Sequence, residues 1–454
     1  MSTREPNTLS ATLPHPIGFT LDNGLRVVVT PQPHLSLATV VLLSRVGSRY
    51  ETAADNGLSH LLEHVLFRGC ERYPDTHALN VAIESVGTAL DAATAPDYTS
   101  FEAVCLPERV PAMLEVVGAM LGRPLFVGVD VEQRIIAEEL QDEIDARGRD
   151  IDPDNLSKMK LFPGTSMGLK VGGTLAGIKR FGPDDCRRWH AQHYGAANLV
   201  LSVAGPVTVE GIRAAAEAAF GALPGGEARR PSGAVAREDL PAFEFTHNAS
   251  PQVDLQLSWV VPSEGDPDWP ALNLAQRLLD DGTCARLRHR IVDQLGLAYH
   301  AAADLESYDG LSIFTVSTQT RPNQAVAVLD AILAVLEELA AEPPNGAELA
   351  RMRGRIELEM AGLRDASGQA AYWHGLRVLS GGQTDIIGRW TRTLQVEPER
   401  LQAAVRRHLD RKNAQLTAVG DLEPVWRAAL RHRVRSIIER SPSPSTPSSL
   451  SSRG

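Results

Sequence analysis

The sequence predicts an α+β protein of two homologous domains, each a mainly antiparallel sheet with helices packed on one face. Three observations carry this. Strand-like and helix-like segments alternate along the chain. Tyr194–Gly205 (YGAANLVLSVAG) and Leu409–Gly420 (LDRKNAQLTAVG) read as copies, each with an Asn seven residues before its closing Gly (Asn198 and Gly205, Asn413 and Gly420). Between the copies, residues 224–241 are rich in Gly, Pro, Arg and Ala and have no clear period.

The elements follow in order. The turn signal Asn23-Gly24 precedes a strand over Leu25–Thr30, and Ala38–Ser44 reads as a second strand. Gly57–Gly69 predicts a helix closed by its glycine. Glu108–Leu121 places Val110, Leu114, Val117 and Leu121 at helical spacing, and Val131–Ala146 predicts a carboxylate-rich helix. In the second copy Leu255–Val261 leads into a helix over Ala271–Leu279, ending near Gly282. The expected plan is an irregular lead-in over 1–18, a first domain over 19–225 and a linker over 226–241. A second domain over 242–440 and a disordered Ser/Pro tail over 441–454 complete it.

Composition narrows the function. The 454 residues are 43% hydrophobic, enough for large cores. Lys and Arg number 45 against 56 Asp and Glu, a net charge of −11. That balance argues against nucleic acid or an anionic membrane as partner. Four scattered cysteines make no disulfide scaffold or zinc ribbon. No apolar run approaches the ~18 residues of a membrane span. Residues 1–20 carry no signal-peptide pattern, so the cytoplasm is the expected compartment. Gly172-Gly173-Thr174 reads as a turn, since the rest of a phosphate loop is missing, and the basic run Arg431–Arg435 as a solvated helix end.

Chemistry enters with residues 57–69, GLSHLLEHVLFRG. On a wheel of about 100° per residue, Leu58, Leu61, Leu62, Val65 and Leu66 form one aliphatic face. His60 and His64 stand one turn apart on the other, with Glu63 offset beside them. Two imidazoles at that spacing can share one metal ion. A hydrolytic zinc site needs three protein ligands, a water and a nearby carboxylate to take the water's proton. His60 and His64 are therefore candidate ligands and Glu63 the candidate general base, with the third ligand coming from elsewhere. On the wheel of Val131–Ala146, Glu132, Ile135, Ile136, Glu139 and Glu143 share a face. Carboxylates beside buried isoleucines need a metal or a cation, which favours Glu139 over Glu138 as a ligand.

The motif His60-Leu-Leu-Glu63-His64 is HxxEH, the inverse of HExxH. With it, the chain resembles the pitrilysin/insulinase (M16) zinc peptidases over roughly Phe19–Leu422. Leu90–Leu106 resembles the strand pair beside the cleft, and Glu132–Leu140 the segment supplying the third ligand. The family pattern has two glutamates seven apart, the second binding zinc. The resemblance therefore implies one Zn2+ on His60, His64 and Glu139, with Glu132 as a supporting residue. It implies half of a clam-shell, paired as a homodimer or heterodimer around a peptide substrate.

The second copy has lost the motif. Matching Gly69 to Gly282 puts Asn273, Gln276 and Arg277 where His60, Glu63 and His64 stand. A further departure concerns substrate binding. Family peptidases use an Arg and a Tyr seven apart; here Tyr299 is present, but Val292 occupies the Arg position. The expectation is a zinc endopeptidase acting on peptides or unfolded segments, with Tyr299 as a substrate contact. The rivals are a non-catalytic assembly subunit and a protease that removes leader segments from small ribosomal peptides.

Overall fold

A computed structural model describes residues 15–382 and 385–435. The first half runs β1 (Ile17–Thr20), β2 (Arg26–Pro31), β3 (Ala38–Ser44), α1 (Leu58–Leu66), α2 (Thr76–Ser85), β4 (Asp91–Thr94) and β5 (Thr99–Cys105). It continues through α3 (Val110–Gly122), α4 (Val129–Glu139), α5 (Pro153–Leu161), α6 (Leu175–Ile178), α7 (Pro183–His193), β6 (Leu199–Gly205) and α8 (Val209–Phe220). The second half runs β7 (Ala242–His247), β8 (Val253–Val261), α9 (Trp269–Asp280), β9 (Ala298–Tyr308), β10 (Leu311–Thr320) and α10 (Ala325–Ala341). It ends with α11 (Gly346–Gly362), α12 (Ser367–Leu379), α13 (Ile386–Leu394), α14 (Pro398–His408), β11 (Gln415–Gly420) and α15 (Pro424–Arg435).

The duplication is visible in the sheets. The first has the order β1-β2-β6-β3-β5-β4, the second β7-β11-β8-β10-β9. In each, one parallel pair (β2 with β6, β7 with β11) joins an otherwise antiparallel sheet. The repeated Asn…Gly segments are the strands β6 and β11 with their lead-ins. Between Phe220 and Ala242 the chain forms no helix or strand.

The N-terminal end of the expected plan is corrected. The lead-in expected over 1–18 is regular at its end: Ile17 and Gly18 open the edge strand Ile17–Thr20, antiparallel to β2. The tail expected over 441–454 lies outside the described residues. The two-domain α+β class stands, and each sheet is covered on its second face as well, by helices of the other half. One face of the first sheet packs on α1, α3, α7 and α8 in the larger core. Its other face, through Val28, Val41, Leu43, Val200 and Ala204, packs on Ile356, Met360, Ala370, Ala371 and Trp390 of α11, α12 and α13, from the second half.

The exchange is reciprocal. Helix α5, from the first half, lies on the back of the second sheet, where Ser157 Oγ meets Ser258 Oγ at 2.9 Å. Leu161 and Phe162 pack there against Leu311 and Ile313. The physical signal is in β3: ATVVLLS is buried at every residue, the mark of a strand covered on both faces. Gly375 lets α12 lie flush, since a Cβ there would stand 2.8 Å from Leu43 Cδ1 and 3.0 Å from Ser202 Cβ.

Candidate metal centre

Helix α1 buries Leu58, Leu61, Leu62, Val65 and Leu66 completely, as its apolar stripe requires. This turns His60 and His64 outward together. Their Nε2 atoms stand 3.2 Å apart. Glu139, the last residue of α4, brings Oε2 to 3.8 Å from each. Among the described residues this is the one group of three His, Cys, Asp or Glu side chains close enough to hold an ion.

The donor set suits a metal. A triangle with sides of 3.2, 3.8 and 3.8 Å is that of atoms about 2 Å from a common centre, the length of Zn–N and Zn–O bonds. The tautomer of His64 is set as well. Its Nδ1 lies 3.0 Å from Glu132 Oε2, which holds the ring proton there and leaves the Nε2 lone pair facing His60. Arg68 Nε donates to the other Glu132 oxygen. Burial tends to raise the Glu132 carboxyl, but hydrogen bonds from His64 and Arg68 hold it below its usual range. Burial, aided by repulsion from His64, lowers His60 to about 4 and keeps it neutral. Burial opposes charge on His64 also, but its bond to Glu132 and the charges of Glu63 and Glu139 raise it on balance.

Glu63 faces the same space from the helix flank and is 7% exposed. Burial raises its carboxyl above the ordinary range, against a hydrogen bond from Thr94 Oγ1 to Oε2 at 2.5 Å. Thr94 ends the edge strand β4, and Thr99 Oγ1 lies 3.3 Å from its hydroxyl while donating to the Val46 carbonyl. A carboxylate so held can accept a proton from a water on the ligand side.

The N-terminus of α1 is held from a distance. Gly57 is left-handed at φ +93° and supplies no side-chain cap. Glu51, buried in the preceding coil, accepts from Gly57 N at 2.9 Å, Ser59 N at 2.8 Å and Asn56 Nδ2 at 3.0 Å. A carboxylate there satisfies the free amides and complements the helix dipole.

Most predicted residues meet here, and two details change. The α4 helix is shorter than Val131–Ala146: it stops at Glu139, a tight turn runs through Glu143, and Ile144 bridges Asp150 across a hairpin. The predicted face breaks with it. Ile136 is buried, Ile135 is 41% exposed, and Glu143 pairs with Lys170 instead of facing the histidines. Tyr299 is 93% exposed on edge strand β9, lining a different cavity of about 420 Å³ with Asp152, Asp154 and Asp254. Sequence reading missed Glu51, Arg68 and Thr94. Arg68 had a signal, one turn beyond His64; Glu51 had none, because two of its partners are backbone amides and the third is a neighbouring Asn56 side chain.

In the second half α9 occupies the place of α1, with its side chains otherwise engaged. Asn273 Oδ1 accepts from Thr393, Gln276 donates to the Ala303 carbonyl, and Arg277 pairs with Asp281 and Glu359. Three histidines away from the site are packed elsewhere: His190 stacks on Tyr194, His193 lies against Trp189, and His374 Nδ1 meets Thr30 Oγ1 at 2.8 Å.

Residues 26–171 match the family model described as insulinase (peptidase family M16), and residues 180–356 that described as the peptidase M16 inactive domain. The chain is 29% identical over 416 residues to an uncharacterized zinc protease of Streptomyces coelicolor, covering 89% of each. It is 31% identical over 225 residues to the mitochondrial-processing peptidase subunit beta of Lentinula edodes, covering 49% of this chain and 48% of that one. A protease from Helicobacter pylori has the same fold, with a TM-score of 0.83 at 20% identity, covering 90% of this chain and all of that one. With HxxEH on α1 and a glutamate from α4 beside it, the chain belongs to the insulinase (M16) peptidase family.

Proposed function

We propose that this protein is a zinc-dependent endopeptidase acting on peptides or unfolded polypeptide segments. The observation that carries the reading is the convergence of His60, His64 and Glu139 with Glu63 on the flank. His60, His64 and Glu139 would hold the ion, which supplies Lewis acidity and a lowered pKa for a water molecule. Glu63 takes the proton of that water as it attacks the scissile carbonyl and delivers a proton to the leaving nitrogen. Thr94 keeps one Glu63 oxygen engaged, leaving the other for the water. Glu132 holds the His64 tautomer.

The chain works, on this reading, as one of a pair of family subunits. Val292 at the position of the expected arginine favours a partner that supplies the missing substrate contact, with Tyr299 exposed on its edge strand.

The test is metal content together with cleavage of a quenched peptide library, with and without a family partner. Near-stoichiometric zinc with hydrolysis is expected for the wild type. Glu63→Gln should keep zinc and lose about 10²-fold or more in kcat. Retained turnover in metal-loaded Glu63→Gln would remove Glu63 as the base.

A further inference from the structure

The two ligand-bearing helices come from different parts of the chain, and one short loop is wedged between them. Lys170 opens it, and Gly172-Gly173-Thr174 closes it onto α6. On the α1 side, Asn56 Nδ2 donates to the Lys170 carbonyl at 2.7 Å and to Glu51 Oε2 at 3.0 Å. Gly173 meets Gly57 backbone to backbone: a Cβ on Gly173 would stand 2.8 Å from Gly57 Cα. On the α4 side, Lys170 Nζ binds Glu143 Oε2 at 2.8 Å and Asp150 Oδ1 at 2.6 Å. Glu143 ends the turn that begins just after Glu139. Gly172 sits between the two, where a Cβ would stand 3.0 Å from Leu140 Cδ2 and 3.9 Å from His60 Nδ1.

We propose that Lys170 is a positioning residue for the metal centre: a strut whose carbonyl engages the start of α1 and whose ammonium engages the turn after Glu139, setting the third ligand against the histidine pair. The inference rests on reading His60, His64 and Glu139 as metal ligands. A buried ion pair repays its desolvation poorly as stability, whereas its direction and length constrain whatever it joins. The Lys170 side chain is 7% exposed, and between its two carboxylates it stays charged. Without it the turn after α4 keeps the Glu132–His64 contact earlier in the helix, the buried Leu140 and the bond from Asn155 to Glu143, but loses its charged tie to the loop on the α1 side, and Glu139, half exposed at the helix end, is less closely directed. Ligands held loosely bind metal less tightly, because the ordering cost falls on the binding step.

The experiment is zinc affinity by chelator competition for the wild type, Lys170→Met and Glu143→Ala, with the melting curve of each metal-free protein. Cobalt(II) absorption reports the ligand geometry independently of hydrolysis. Lys170→Met and Glu143→Ala should each weaken zinc by about tenfold and alter the cobalt spectrum. Glu143 is partly exposed, so Glu143→Ala keeps the question answerable if Lys170→Met fails to fold. A folded variant with wild-type affinity and an unchanged spectrum would overturn the strut. A wild type that binds no zinc would instead remove the ligand assignment, and the strut with it.

Discussion

Glu132 Oε2 lies 3.0 Å from Nδ1 of His64, although 68 residues separate them in the chain. One carboxylate thus bridges the two helices that carry the metal-facing side chains, with Arg68 Nε on its other oxygen. Such a contact orients the imidazole, fixes its tautomer and raises its basicity as a ligand.

Replacing Glu132 with Gln keeps the size of the side chain and removes its charge. Zinc affinity, measured by competition with a chromophoric chelator, is expected to fall by about 10- to 100-fold. The fold should persist, because Leu58, Leu61 and Leu62 still anchor α1 in the core. Unchanged affinity would mean that Glu132 serves Arg68 alone.

Thr94 offers a second separation of roles. Its hydroxyl donates to Glu63 Oε2, and it touches none of the three metal-facing side chains through a described hydrogen bond. Thr94→Val should lower kcat by about tenfold with zinc content and KM little changed, since an aimed carboxylate is a large part of general-base catalysis. Thr94→Ser keeps the donor and should restore the rate. A serine variant as slow as the valine one would assign the loss to packing of β4.

Acid should destabilise the metal-free protein in a defined window. Burial lowers His60, His193 and His374 to about 4, from the ordinary value of 6.5. The unfolded chain therefore binds protons first, so stability is complete above pH 6.5 and is lost as pH falls towards 4. Each ring contributes a loss of about 2 kcal/mol at pH 5. His374→Gln should shrink the difference in melting temperature between pH 7.5 and pH 5, read by calorimetry in chelator. A difference as large as the wild type's would show that His374 titrates normally in the folded state.

Legibility of the site followed the range of its contacts. His60, Glu63 and His64 were readable because helical periodicity alone puts two rings one turn apart and an aliphatic stripe opposite. Glu139 needed the family pattern, and the wheel that supported it was drawn on a helix longer than the real one. Glu143 was placed on the metal face and instead serves Lys170, because the hairpin at Ile144 and Asp150 pulls the chain away. Glu51 and Thr94 were invisible: a carboxylate accepting backbone amides and a hydroxyl reaching another element leave no spacing in the sequence.

By itself the sequence determined the local and repeated features: the amphipathic metal-binding helix, the duplicated α+β unit and the loss of HxxEH from the second copy. These rest on periodicities that act over a few residues or on a pattern written twice. The tertiary structure alone decided which side chains meet. It set α5 on the second sheet and α11 to α13 on the first, brought Glu132 to His64, and wedged the Lys170 loop between α1 and α4. Each of these joins residues far apart in the chain, and their pairing depends on how packed surfaces fill space.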